Sequence, residues 1–190
     1  MSAISAPNQV LLRVRATSVN PIDWKLRKGM LRFVWPVKFP FILGFDVAGV
    51  VEEVGSGVTR WRSGDEVYAS IRRGGCYAEY VAASESALAR KPEKLSFEEA
   101  AAVPVAALTA LQAFRDTAAL KAGHRVLING ASGGVGAFAV QVAVALGGRV
   151  TGVTSTRNLE LVRQLGAERV IDYTREDFAS QDEMYNVIFD

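Results

Sequence analysis

The sequence holds one cysteine, Cys76, and one histidine, His124, among 190 residues. A single cysteine excludes an intramolecular disulfide. Protein zinc sites need three or four ligands, mostly Cys and His, so this pair argues against one. An excess of one charge is also missing: 22 Lys and Arg stand against 20 Asp and Glu, and the basic residues are scattered. No run suits nucleic acid or an anionic membrane surface. No stretch is long and apolar enough to span a bilayer. The opening MSAISAPNQ lacks the apolar core of a signal peptide. A soluble cytoplasmic protein is the expectation. Apolar residues make up 49 % of the chain, enough for a sizeable core, and the length fits one domain or two small ones.

The first half reads as β. In QVLLRVRATSV, Val10, Leu12, Val14 and Ala16 alternate with Leu11, Arg13, Arg15 and Thr17, the pattern of a half-buried strand. DVAGVVEEVG (46–55), DEVYASI (65–71) and YAEYVAAS (77–84) are further β-type runs, with turn signals at 55–57 and 62–65. Many short strands with glycine turns predict a compact barrel-like β domain. Trp24, Phe33, Trp35, Phe39 and Phe41 crowd a segment with no clear period. They either line an apolar pocket or, the preferred reading, form part of the β core. Cys76 is read as a small packing residue and His124 as a solvated turn residue.

The pattern changes near Ser96. SFEE (96–99) fits a capping box, with the hydroxyl at the N-cap and the carboxylate three residues on. The helix it opens is broken or kinked near Pro104. Then HRVLING, RVTGVT, ERVIDY and YNVIFD read as strands, with helices GGVGAFAVQVAVALG and TRNLELVRQLG after the first and second. A short polar segment, REDFASQDE, precedes the last strand. Alternation of strand and helix predicts an α/β region with a parallel sheet. The domain boundaries drawn from this change are 1–97 and 98–190.

The stretch NGASGGVG (129–136) lies between a buried-type strand and an apolar helix, the setting the dinucleotide fingerprint requires. Ala131, Gly133 and Gly136 occupy the G-x-G-x-x-G positions, with alanine at the first. Gly130 is placed to make the tight turn. Gly133 leaves the backbone open to a pyrophosphate, and Gly136 lets the helix approach the strand. Ser132, Gly133, Gly134, Val135 and Gly136 are the expected phosphate cradle at a helix N-terminus. No Lys-Ser/Thr pair follows, so this is not a Walker A loop. The other reading is a glycine turn that binds nothing.

The second strand of this half ends in Thr154, Ser155, Thr156 and Arg157. An NAD-preferring site puts a carboxylate there for the ribose 2′-OH. Hydroxyls and a guanidinium suit a 2′-phosphate instead, which predicts NADPH. An ordinary helix cap with a solvated arginine remains open for Ser155 and Arg157. Tyr173 closes over the adenosine phosphate or is a surface tyrosine.

Taken together, ATSVNPIDWKLRKGM, LGFDVAGVVEEVGSGV, GDEVYA, AAVPVAALTALQAF, NGASGGVGAFAVQVAVALG and GAERVIDY resemble the medium-chain dehydrogenase/reductase superfamily. The branch they are most similar to is that of the zinc-free, ζ-crystallin-like quinone oxidoreductases. VNPIDWK, VAALTALQA and STRN look closest to the chloroplast-envelope quinone oxidoreductase homologues and enone oxidoreductases. The resemblance implies a GroES-like β domain followed by a Rossmann domain, with the nicotinamide in the cleft between them. It implies reduction of quinones or α,β-unsaturated carbonyls by NADPH. Zinc-dependent relatives carry a cysteine near the position of Asn20–Asp23 and a later Gly-His-Glu; here NPID and GFD stand there. Without those ligands, hydride transfer rests on positioning and on hydrogen-bond donors at the developing oxyanion.

By family position, Asn20 lies at the nicotinamide or substrate end, able to donate an amide hydrogen bond. Lys25 donates to the substrate carbonyl or holds a ribose hydroxyl, with Asp23 orienting it; the alternative is a surface salt bridge at a helix start. Thr109 approaches the nicotinamide carboxamide or bonds to its own helix backbone. Relative to the family, the chain lacks an opening hairpin and stops at Asp190, in or just after the fourth Rossmann strand. The expectation is therefore a fragment with the first mononucleotide half, an apolar last-strand edge and weakened or absent catalysis. Full-length relatives imply a homodimer built by a strand beyond that point. The competing function is a non-catalytic nucleotide-binding or structural ζ-crystallin-like protein. A short-chain dehydrogenase is disfavoured because no Tyr-x-x-x-Lys occurs.

Overall fold

A computed structural model describes residues 4–38, 40–180 and 183–190. Phe39, one of the aromatics singled out above, lies outside the described residues, as does part of the polar segment before the last strand. The chain divides into two compact units, Met1–Val105 and Ala106–Asp190.

The first unit is built on strands β1 (Gln9–Ala16), β2 (Asp46–Val54), β3 (Glu66–Ser70), β4 (Tyr80–Ser84) and β5 (Leu88–Arg90). They form one antiparallel sheet in the order β4-β1-β2-β3-β5. The alternation seen in the sequence sets its faces. Val10, Leu12, Val47, Val51, Val67 and Val81 point into one core with Trp61 and Cys76. Two register shifts in the β1–β2 pairing, at Leu11/Leu12 and Val14/Ala16, bend the pair. Gly49 in β2 sits where a Cβ would lie 2.4 Å from the Arg13 carbonyl oxygen, so the strands approach there only because it is glycine.

Helix α1 (Pro21–Arg27) follows β1, with proline in its first turn. Between α1 and β2 the chain makes turns rather than strand, and this corrects the reading of the aromatics. Phe33 is 85 % exposed and Trp24 is 40 % exposed. Trp35 and Phe41 are half-buried. None of these four rings joins a buried core cluster among the described residues. Phe45, the residue before β2, is buried instead, and Trp35 meets it edge-on at 5.7 Å. Helix α2 (Phe97–Ala101) carries the expected capping box: Glu99 N–H donates to Ser96 Oγ, and Ser96 N–H to Glu99 Oε2. Its alanines Ala100 and Ala101 pack on Ala48 of β2.

The helix break at Pro104 is present. Helix α3 (Pro104–Gln112) begins on that proline and runs into a π-helical turn, Ala113–Thr117. In the second unit, β6 (Arg125–Ile128), α4 (Gly134–Ala145), β7 (Arg149–Thr154), α5 (Leu159–Gln164), β8 (Arg169–Asp172) and β9 (Val187–Phe189) follow in turn. The sheet is parallel, in the order β8-β7-β6-β9, with β9 at its edge and Ile188 exposed. This is the strand order of one half of a doubly wound nucleotide-binding sheet plus its fourth strand. Its core joins Phe114, Val126, Ile128, Val140, Val150 and Val162. His124, expected to be solvated, is half-buried at the amino end of β6, where its Nδ1 accepts from Lys121 N–H at 3.4 Å.

Candidate functional site

In the second unit the glycine loop leaves the carboxyl end of β6. Gly130 takes φ +66°, a backbone conformation that L side chains avoid, and turns the chain. Gly133 N–H then closes onto the Gly130 carbonyl at 2.8 Å, and α4 begins at Gly134. A Cβ at Gly136 would stand 2.1 Å from the Gly130 oxygen, so the helix packs against the loop only through this glycine. Gly133 and Gly134 are exposed, and a Cβ at Gly134 would meet nothing within 4 Å. Val135 is half-buried and packs on the core. The first-turn amides of α4 lack intrahelical acceptors, as at any helix start.

Ala131, the departure from the fingerprint, is fully buried, and its N–H donates to the Val153 carbonyl at 2.9 Å. The methyl is accommodated by the neighbouring strand: a Cβ at Gly152 would come within 3.0 Å of it. Gly152 in β7 thus leaves the space that the Ala131 methyl occupies. Ser132 turns away from the loop mouth. Its hydroxyl shares a 2.6 Å hydrogen bond with Thr154 and accepts from Asn158 Nδ2 at 3.0 Å.

After β7, Ser155 opens a short 3-10 turn, Thr156–Asn158. Ser155 is half-buried; Arg157 is exposed and makes no ion pair among the described residues. Tyr173 follows β8, 57 % exposed, with its N–H on the Thr154 carbonyl at 3.1 Å. It lines an open depression of about 680 Å³ with Asn129, Thr174, Arg175 and Phe178. That depression lies off the carboxyl ends of the strands, where doubly wound sheets take their ligands. Thr109 is exposed on α3.

One acidic residue enters this region that the β7 sequence did not show. Asp172, the last residue of β8, is buried and accepts from Thr156 Oγ1 at 2.5 Å, Thr174 Oγ1 at 2.7 Å and Thr174 N–H at 3.0 Å. Donation from Thr156, then Thr174, holds its carboxyl below the ordinary aspartate range.

In the first unit the candidate residues surround a second buried acid, Asp46. Its Oδ2 accepts from Ser18 Oγ at 2.5 Å and Asn20 Nδ2 at 2.8 Å; its Oδ1 accepts from Val105 N–H at 2.8 Å. The Asn20 amide also donates to Ser18 Oγ at 3.1 Å. Burial pushes the Asp46 carboxyl up; the three donors act against this, and the charge of Asp23 adds to it.

Asp23 does not orient Lys25. It is buried, and its oxygens accept from Asn20 N–H at 2.8 Å and Gly44 N–H at 2.9 Å, fastening the start of α1 to the Gly44 turn. Each oxygen takes one backbone amide, one from the start of α1 and one from the Gly44 turn. Lys25 is half-buried, makes no ion pair among the described residues, and holds its Nζ 5.7 Å from the Trp24 ring centre. Tyr77 Oη donates to the Ser18 carbonyl at 3.3 Å; burial, with the charge of Asp23, pushes its phenol up to about 12.

The pattern of the alcohol dehydrogenase GroES-like domain matches residues 6–93, and that of the zinc-binding dehydrogenase matches residues 134–189. The chloroplast envelope quinone oxidoreductase homolog of Arabidopsis thaliana is 46 % identical over 180 residues, which cover 91 % of this chain and 55 % of that protein. The chain belongs to the medium-chain dehydrogenase/reductase superfamily, in its quinone oxidoreductase branch. The NADPH-dependent alkenal/one oxidoreductase of the Arabidopsis chloroplast is 40 % identical, covering 96 % of this chain and 50 % of that protein. The Escherichia coli quinone oxidoreductase solved with NADPH superimposes with a TM-score of 0.81 at 33 % identity, covering 93 % of this chain and 54 % of that one. This member of the superfamily thus spans about half the length of the curated relatives it matches.

The zinc in one matching domain's name does not fit this chain's donors. Cys76 is fully buried in the β core, and burial pushes its thiol up to about 12. Asp46, in the GFD stretch, has its oxygens engaged by Ser18, Asn20 and Val105. The sequence reading missed Asp46 and Asp172 as organising residues. It also missed Ser18 and Asn158, and it counted Thr154 among the phosphate-facing hydroxyls, whereas Thr154 is buried and bonded to Ser132. A buried-type strand ending or beginning in Asp, as in ERVID and DVAGVV, was the available signal.

Proposed function

We propose that this chain binds NADPH on its parallel-sheet unit and serves hydride transfer to a quinone or α,β-unsaturated carbonyl. The carrying observation is the cradle: Gly130 turns the chain at φ +66°, Gly133 and Gly134 leave the loop exposed, and Gly136 alone has no room for a Cβ, while Arg157 and Tyr173 stand exposed after the next two strands. The loop amides at the start of α4 would hold the pyrophosphate. Ser155 and Arg157 would hold the 2′-phosphate, the guanidinium being suited to bidentate contact. The same names among the relatives, NADPH-dependent and quinone or alkenal reducing, support the reading.

When bound, NADPH supplies the hydride; the protein aligns and shields the reactants. On the β unit, Lys25 is the donor suited to an oxygen that gains negative charge as hydride arrives at the conjugated carbon. Asn20 and Asp23 act by position: one is held by Asp46, the other fastens the helix that carries Lys25. A proton completes the reduction; in this reading the Lys25 ammonium donates it and the resulting amine is reprotonated from solvent.

The test is Arg157→Ala, with affinity for NADPH and NADH measured by fluorescence titration. The expected result is an NADPH affinity lower by about tenfold with NADH nearly unchanged. Equal NADPH affinity in the wild type and the variant would overturn the assignment.

A further inference from the structure

Two exit turns carry the residues proposed for the adenosine end of the cofactor. One follows β7 and holds Ser155 and Arg157; the other follows β8 and holds Tyr173. The structure joins them through one carboxylate. Asp172 Oδ2 accepts from Thr156, the residue next to Arg157, at 2.5 Å. Asp172 Oδ1 accepts the Thr174 hydroxyl at 2.7 Å and the Thr174 N–H at 3.0 Å, shaping the turn just after Tyr173. The two threonine hydroxyls are themselves 3.1 Å apart. The Asp172 carbonyl receives Arg175 N–H and Glu176 N–H, each at 3.0 Å, so the backbone of the same residue closes the second turn. Arg175 Nε lies 3.7 Å from Asp172 Oδ2.

We propose that Asp172 is a positioning residue for cofactor selection, fixing the turn that presents Arg157 and the turn that presents Tyr173 so that both meet one 2′-phosphate. This rests on the NADPH reading given above. An ionised carboxylate only accepts, so it can take all three donors at once. An amide of the same shape would turn an N–H toward at least one of those hydroxyls. Asp172 does not contact the cofactor in this scheme; it acts through Thr156 and Thr174.

The sign of the effect separates positioning from charge. Asp172→Asn removes a negative charge from beside an anion site. Coulomb's law alone then predicts tighter binding of a phosphate. Loss of the turn geometry predicts weaker binding.

The experiment uses the full chain and two probes that need no turnover, 2′,5′-ADP and 5′-AMP, titrated by calorimetry. The expected result for wild type is a clear preference for 2′,5′-ADP. In Asp172→Asn that preference falls by about tenfold, with 5′-AMP changed by less than about twofold. Thr156→Val repeats the loss and Thr156→Ser restores it, because serine keeps the hydroxyl. Should Asp172→Asn fail to fold, the Thr156 pair carries the test alone. A wild type that binds the two probes equally overturns the NADPH reading and this inference with it. A wild-type preference that survives or grows in Asp172→Asn and Thr156→Val overturns only the role of Asp172. Equal losses for both probes also overturn that role, since they mark general damage to the site.

Discussion

The side-chain amide of Asn20 donates to the carboxylate of Asp46 at 2.8 Å, joining a half-buried residue to a buried acid. Asp46 is fully buried and receives Ser18 and Val105 as well. The residue expected at the reacting end of a cofactor is therefore held by an acid at the start of β2.

Removing that acid should be costly to the fold. Asp46→Ala removes the acceptor that Ser18, Asn20 and Val105 share, at about 1–3 kcal/mol for a buried polar group whose hydrogen bond is lost. A loss of at least about 2 kcal/mol is expected from urea unfolding of the variant.

The same carboxyl has a pH signature. Burial raises its pKa in the folded state, so the folded chain binds its proton more readily than the unfolded chain. Its favourable contribution is present in acid and is lost as pH rises through the raised value. Asp46→Asn removes this term. The stability of Asp46→Asn relative to wild type should therefore improve from about pH 4 toward neutrality. A difference that is flat or falls over that range would contradict the raised pKa.

The glycine loop offers a paired test. Gly136→Ala forces a Cβ to within 2.1 Å of the Gly130 oxygen, so the loop or helix must shift. A stability loss of about 1–3 kcal/mol is expected, as for other overpacked sites. NADPH binding should weaken with it. Gly134→Ala meets open space, and its thermal midpoint should match or exceed that of wild type, since alanine favours the helix. Equal behaviour of the two variants in thermal unfolding and NADPH titration would sink the cradle geometry.

Cys76 gives an independent probe of the β unit. It is fully buried and its thiol is pushed up to about 12 by burial, the charges of Asp46 and Asp23 adding to this. Thiolate is the reactive form, so native protein at pH 8 should resist a disulfide reagent such as DTNB. In denaturant the thiol should react at once. Prompt labelling of native protein would show that the core around Cys76 opens readily.

Local patterns made much of this molecule legible. Period-two alternation marked β1 through β4, and the strand–helix alternation marked β6 through β9. The capping box at Ser96 and Glu99 and the break at Pro104 follow from chemistry within four residues or fewer. The turn at Gly130 is equally local. Strand β5, three residues long, carried too little pattern to be seen. The core reading of the segment rich in Trp and Phe failed because composition does not say which rings pack: Phe45 is buried, while Trp24 and Phe33 are exposed.

The sequence by itself determined the elements, their order and the glycine loop, because periodicity, caps and turns are properties of neighbours along the chain. Only the tertiary structure decided which polar groups meet. Asp46 reaches Asn20 across 26 residues, and Asp172 reaches Thr156 across 16. The register between β1 and β2 and the adjacency of β7 and β8 set those meetings. A buried carboxylate needs donors, and the chain alone does not say which ones the sheets will bring to it.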